Sequence, residues 1–438
     1  YFMVIIFISN FSYGKIIIEP GPNAYDRIQE ALILAEPYEN IHLSSGYYEI
    51  EDGLSLDIDN VTLSGDGLDK TILSFKNQKS GAEGLLVTSN GVTLSDFAVE
   101  DTIGDAIVVK KANGIRFLRV RVEWTDGPKS SNGAYGLYPV ESKDVLIDSC
   151  IAIGASDAGI YVGQSERIKV INSEAKFNVA GIEIENSYFA EVTNNIAHHN
   201  TGGILIFDLP NLPQQGGHDI LVKNNKVLNN DTPNFAPEGN IVGKTPNGTG
   251  IMVMANEKVI LEENYISGNA TAGILVVSYL DEYEDDNYNP LPNKIFIRNN
   301  QLNNNGFEVD KVRAEPIALL TKNKAPEIIW DGVTSFPEWI GLSKQQRLIL
   351  GPNKTKDRKT PKKKQLFIKK IKSCPLSAKG APAIDYKNVR LLEKYISEKG
   401  KIVPSRISFV SSEKQRLLSK EIKKARSLAL ISHVGKIR

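Results

Sequence analysis

Short runs of alternating apolar and polar residues recur along the first 305 residues, and they recur at a fixed distance. Gly136-Leu137, Gly159-Ile160, Gly181-Ile182 and Gly203-Ile204 mark successive units of 22–23 residues. Ala106-Ile107 opens an earlier unit, and Gly250-Ile251 and Gly273-Ile274 continue the series after a 47-residue step. One place after the small residue stand Ile107, Leu137, Ile160, Ile182, Ile204, Ile251 and Ile274; two places further stand Val109, Pro139, Val162, Ile184, Ile206, Val253 and Val276. Alternation of this kind puts both sets on one face of a short strand. Repetition at a constant period predicts coils stacked so that like residues form continuous inward columns.

A leucine-rich repeat has a similar length, but it requires a Leu-x-x-Leu-x-Leu frame and a helical segment. Here the strands are β-branched and punctuated by Gly, Asn and Ser, which favours stacked β-coils. The second half of each unit adds polar columns: Cys150, Ser173, Asn195, Asn225, Asn264 and Asn300, then Asn178, Asn200, Asn230, Asn269 and Asn305. Asn accepts left-handed backbone at turns, and stacked amides bond to one another. Upstream, Ile28, Ala31, Leu32 and Ala35 share a helical face that Pro37 ends, predicting a helix over the open end of the first coil. The predicted fold is therefore all-β: a right-handed parallel β-helix over residues 20–305 with an N-terminal capping helix. A C-terminal cap over 306–350 and a basic, partly helical or disordered extension over 351–438 follow it.

Charge separates the two ends of the chain. Residues 306–438 carry 31 Lys and Arg against 12 Asp and Glu, and the remainder is acidic by the same margin, so the formal net charge is zero. The basic stretch, densest over 354–372, suits a polyanion, although it shows no recognisable nucleic-acid module. Residues 1–14 combine an apolar run, Phe2 to Ile8, with small residues at Ser12 and Gly14. This reads as the remnant of a secretory signal and predicts a periplasmic or secreted protein with no membrane span in the mature chain. The two cysteines, Cys150 and Cys374, exclude a disulfide framework, and Cys150 reads as a small buried member of an Asn column.

The Gly-Ile columns and Asn punctuation resemble the carbohydrate-binding and sugar-hydrolase class of right-handed β-helices, including the periplasmic NosD-like proteins. The opening segments, Ile28-Gln29-Glu30-Ala31 and Ile41 through Tyr48, resemble the start of such folds. The class includes polysaccharide lyases, hydrolases and alginate C5-epimerases, so the resemblance implies a glycan partner. The epimerases carry Asp-Pro-His-Asp on one coil. The similar stretch here, Tyr135 to Glu141, keeps Pro139 but has Tyr138 for the first Asp and Val140 for the His, which argues against epimerisation.

Between the inward columns, Lys110, Tyr138, Tyr161, Glu183 and Glu185 fall on the outward face. Aromatic rings and carboxylates there suit sugars, and two glutamates two residues apart suit acid–base work on a glycosidic bond. Four insertions, 125–134, 208–218, 231–249 and 279–292, flank the same strand column and are expected to wall a cleft over it. They supply Asp208 and His218 as candidate substrate-binding groups, with Tyr138; Glu183, Glu185, Tyr161 and Lys110 are the candidate catalytic residues. No metal-ligand spacing is evident: the acidic run Asp281 to Asp286 and the pair His198-His199 read as solvated loop and turn. No phosphate-cradling Gly motif or nucleophile elbow is present, and no cofactor is identified. These expectations converge on an exported polysaccharide-binding or polysaccharide-modifying β-helix, lyase- or hydrolase-like on an acidic glycan. The alternative is a non-catalytic periplasmic scaffold or maturation factor of the NosD-like type.

Overall fold

The structure, a computed structural model, describes residues 15–279, 281–332, 338–340, 347–349, 376, 382–397, 401–403, 408, 410–428 and 430–432. The signal-like residues 1–14, Cys374 and the basic run 354–372 lie outside the described residues. The chain divides into two compact units, residues 1–355 and 356–438.

The first unit is a parallel β-helix. An 11-stranded sheet takes one strand from each coil, among them Tyr135–Val140, Ala158–Gly163, Ala180–Glu185 and Gly202–Phe207. A 20-stranded sheet takes the rest, typically a pair such as Glu166–Ile171 and Glu174–Lys176. The inward columns form as predicted: Leu137 pairs with Ile160, Ile160 with Ile182, Ile182 with Ile204, and Ile204 with Ile251. All five side chains are fully buried in one continuous apolar core.

The repeated glycine has a steric cause. A Cβ on Gly203 would lie 2.7 Å from the Gly250 carbonyl oxygen and 2.8 Å from the Asn230 amide nitrogen. Only a bare Cα lets neighbouring coils approach that closely. The asparagine columns are hydrogen-bonded ladders: the Asn195 N–H donates to Asn225 Oδ1 at 2.9 Å, and the Asn225 N–H to Asn264 Oδ1 at 2.9 Å. The second column is joined in the same way, through Asn178, Asn200, Asn230, Asn269 and Asn305. Burial in low dielectric makes these bonds costly to break. The left-handed residue at the first of these turns is not the ladder residue but the one before it, as at Asn194 and Asn224, with φ near 59° and 55°. A third ladder, Ser142 to Ser165 to Ser187, closes the turn after the 11-stranded sheet.

Helix Ala24–Leu34 buries Ala24, Ile28 and Leu32 against the same core at the N-terminal end. A strand before it, Lys15–Ile18, already pairs with Asn40–Leu43. Parallel pairing also runs past Asn305, where the sequence repeat fades. Ile328–Trp330 continues the 11-stranded sheet and Glu338–Ile340 the larger one, after an excursion that contains helix Glu315–Thr321.

The second unit is partly helical. Helix Ser412–Ser427 and the short helix Val389–Glu393 enclose a core of Leu391, Leu392, Leu418, Ile422 and Ala425. Among the described residues no helix is long and apolar enough to cross a membrane.

Candidate functional site

The outward face of the 11-stranded sheet changes character along its length. In one row, Val108 neighbours Tyr138, and Tyr161 neighbours Glu183, which is followed by Leu205, Met252 and Leu275. In the next, Lys110, Val140, Gly163 and Glu185 are followed by Phe207 and Met254. From Leu205 and Phe207 onward both rows are apolar. Val242, Tyr279 and Tyr288, from the two later insertions, join them in a second buried cluster. The insertions thus seal the later coils and leave the polar residues of the earlier coils at the margin.

Three tyrosines and three acids gather there. The rings of Tyr135, Tyr138 and Tyr161 lie 4.4–5.0 Å apart between centroids. The Tyr161 hydroxyl donates to Glu185 Oε1 at 2.7 Å. Gly163 provides the room for that reach, since a Cβ there would fall 2.2 Å from the Tyr161 oxygen. Asp157, one residue before its strand, accepts from Asn240 Nδ2 at 3.0 Å, which ties the 231–249 insertion to the acids. The Tyr135 side chain also acts on Asp157, lowering its proton affinity. Glu183 is 2% exposed, and its Oε2 has no hydrogen-bond partner.

Burial sets the proton affinity of this group. It raises Glu183 well above the usual carboxylate range, and the charges of Asp157 and Glu185 push the same way. Glu185 is raised to about 7, first by burial, while the Tyr161 hydroxyl pulls it down and Asp208 pushes it up. Asp157 is raised to about 7 by burial and by Glu185, against the side chains of Tyr135 and Asn240. Burial also raises Asp105, which accepts from the Tyr135 N–H at 3.0 Å. Such a cluster keeps at least one carboxyl protonated at neutral pH beside others that can accept a proton.

Glu183 and Glu185 were expected on an open face; they are buried instead, because the sequence does not reveal how insertions fold back. Tyr138 and Tyr161 stand with them. Lys110 shares the row of Glu185 but lies three strands from it, roughly 14 Å away. Its ammonium faces Glu83 at 3.6 Å. Asp208 is buried and accepts the N–H groups of Gly216 and Gly217, so it shapes its own loop while acting on Glu185 through charge. Burial raises it to about 6. His218 opens a strand of the other sheet, where it bonds Asp219 and stacks on Tyr188. Sequence reasoning missed Asp157, Asp105, Gly163 and Asn240 as site residues. Tyr135 was quoted only within the departed motif.

The acidic loop is used structurally: Asp285 accepts from the Asn211 N–H at 3.0 Å, and Asp281 pairs with Lys244. His198 and His199 bond Glu174 and Asp231 separately. Among the described residues no group of three or more His, Cys, Asp or Glu converges as metal ligands.

A family model described as the right handed beta helix region matches residues 58–213, and one described as ribosomal protein S18 matches residues 380–431. The A-module of the mannuronan C-5 epimerase AlgE6 from Azotobacter vinelandii superposes with a TM-score of 0.51 at 17% identity, over 70% of this chain and 74% of that one, which is a likeness of fold. The small ribosomal subunit protein bS18 of Pelagibacter ubique is 59% identical over 83 residues, 19% of this chain and 76% of that protein. That of Allorhizobium ampelinum is 60% identical over 68 residues, 16% of this chain and 83% of that protein.

Proposed function

We propose a separate function for each of the two units, from the premise that the chain belongs, over residues 380–431, to the ribosomal protein S18 family. The β-helix binds a polysaccharide across the early coils of its 11-stranded sheet and cleaves it by hydrolysis. The observation that carries this reading is the buried Glu183 carboxyl with one unpartnered oxygen, set beside Glu185 and Asp157 under three tyrosines. Glu183 donates its proton to the glycosidic oxygen as the bond from the anomeric carbon breaks. Water attacks that carbon and gives its proton to Glu185, which is held in place by Tyr161. Tyrosine faces support the apolar side of a sugar ring. Export of this unit, which the signal-like residues 1–14 led us to expect, is part of the proposal. The test is release of reducing ends from a panel of polysaccharides by the full chain and by Glu183→Gln. A fall in turnover of at least about 10²-fold with little change in glycan affinity is expected. Equal turnover would reject the assignment.

For the second unit the carrying observation is the 59% identity to a small-subunit ribosomal protein. We infer that this unit seats on ribosomal RNA, with Lys414, Arg416, Lys420 and Lys424 of helix Ser412–Ser427 supplying phosphate contacts. This replaces the sequence expectation of a basic extension without a nucleic-acid module. The two proposals require different compartments. Immunoblots of ribosomal and exported fractions with antibodies against each unit decide whether one chain of full length serves either place.

A further inference from the structure

We propose that the glycan cut at this site is uncharged at the scissile residue, a neutral hexose or pentose polymer rather than a polyuronate. The inference rests on the hydrolytic reading of the same site.

The distribution of charge carries it. The outward face of the early coils brings Glu83, Asp105, Asp157, Glu183 and Glu185 together, with Asp208 acting on Glu185. The charged groups that act most strongly on Asp157, Glu183 and Glu185 are carboxylates. Among the described residues, the cation on the early-coil strands of this sheet is Lys110, which pairs with Glu83 at 3.6 Å and stands three strands from Glu185. By contrast, Arg116, Arg167 and Lys169 collect on the outward face of the other sheet, where Arg167 is held by Asp144 at 2.7 and 2.8 Å.

A uronate bound among these acids would add one more carboxylate to a site where burial and mutual repulsion already keep carboxyls protonated. Eliminative cleavage adds a second difficulty. Removing the proton next to a uronate carboxylate builds negative charge on that carboxylate, and the reaction needs positive charge or strong donors aimed at it. The Tyr161 hydroxyl and the Asn240 amide, two of the donors here, are already spent on Glu185 and Asp157. A neutral sugar meets neither obstacle. Its hydroxyls add no charge to the acids, and its apolar face can lie on the half-buried rings of Tyr135 and Tyr138.

The experiment compares polymers that differ only in charge: polygalacturonate and its carboxyl-reduced galactan, polymannuronate and mannan, polyglucuronate and glucan. Each is offered to the full chain with calcium and with a chelator. We expect reducing ends from at least one neutral member, at a rate at least 100-fold above its uronate counterpart, and loss of that activity in Glu183→Gln. Tyr161→Phe, which removes one hydroxyl and keeps the ring, should lower the rate without changing this preference. Faster cleavage of a polyuronate, sensitive to Glu183→Gln, would overturn the inference and leave the hydrolytic site standing if the products are saturated. Unsaturated products, or no binding or cleavage of any polymer, would remove that site assignment and the inference together.

Discussion

The β-helix shares its fold with a solved structure at 17% identity, whereas the C-terminal unit keeps 59% identity with a bS18 protein. The demands that fold places on sequence explain the low figure. A coil of the β-helix needs a β-branched or similar side chain where Ile182 and Ile184 stand, a small residue at Gly181, and a ladder amide at Asn200. Many sequences meet those terms, and the outward residues are released from them. The second unit has a small core, in which Leu392, Leu418, Ile422 and Ala425 are fully buried, and no periodic neighbour to copy. Identity that persists there beyond the core fits the proposed role, in which the surface itself is matched to RNA. The comparison teaches that a repeat exposes fold to inspection and conceals chemistry, while a short non-repeating unit does the reverse.

The strongest way to break this comparison is to damage one unit and watch the other. In Gly203→Val the new side chain would meet Val227 Cγ1 at 2.6 Å and the Gly250 carbonyl oxygen at 2.7 Å, both fixed by neighbouring coils. Overpacking a coil junction should cost about 4 kcal/mol or more and disrupt the stack. Loss of the β-sheet signal in circular dichroism is expected, with RNA affinity of the full chain kept. Simultaneous loss of both would show that the units fold as one.

A smaller effect separates the units by pH. Asp157, Glu183, Glu185 and Asp208 all hold their protons more tightly in the folded β-helix than in an unfolded chain. Tyr135, Tyr138, Tyr161 and Asp105 surround the first three and supply no positive charge, whereas His218 acts on Asp208 in the opposite sense. The folded state therefore binds more protons, and stability falls as pH rises. The loss starts near the unfolded carboxylate value of about 4. It continues through about 7, the folded value of Asp157 and Glu185. For each of those two groups on the order of 3 kcal/mol should disappear between pH 5 and pH 8. Glu183→Gln should flatten that slope and raise the melting midpoint at pH 8. A β-helix that melts at the same temperature at both pH values would mean the acids are solvated.

These outcomes also mark what the sequence made legible. Ile160, Ile182 and Ile204 announce an inward stack because their spacing is regular, and the structure stacks them. The asparagine ladders were visible for the same reason. The serine ladder at Ser142, Ser165 and Ser187 has the same period but went unread, since serine is common in any turn. At the site, period-2 alternation put Tyr161, Glu183 and Glu185 on one face. It could not show that Val242 and Asn240 would return from a distant insertion to cover the sheet and bind Asp157. Asp157 itself sits just outside its strand, where alternation gives no prediction. In the C-terminal unit the sequence showed charge, and charge alone names no partner.

The mildest test uses the cap of the short helix Val389–Glu393. Asn388 accepts the Leu391 N–H through its side-chain oxygen at 3.3 Å, satisfying one of the donors a helix start leaves open. Because Leu391 and Leu392 belong to the small core beside Leu418 and Ile422, fraying of this turn reaches the packing of the whole unit. Asn388→Ala should therefore cost about 1 kcal/mol. In a unit of this size that is a drop of roughly 4–8 °C in its own melting transition. The β-helix transition, which depends on none of these contacts, should not move. A calorimetric scan of the full chain with two transitions, of which only one shifts, is the expected result. A single transition that shifts as a whole would mean that the two units are energetically one, and the contrast between them would then belong to their sequences alone.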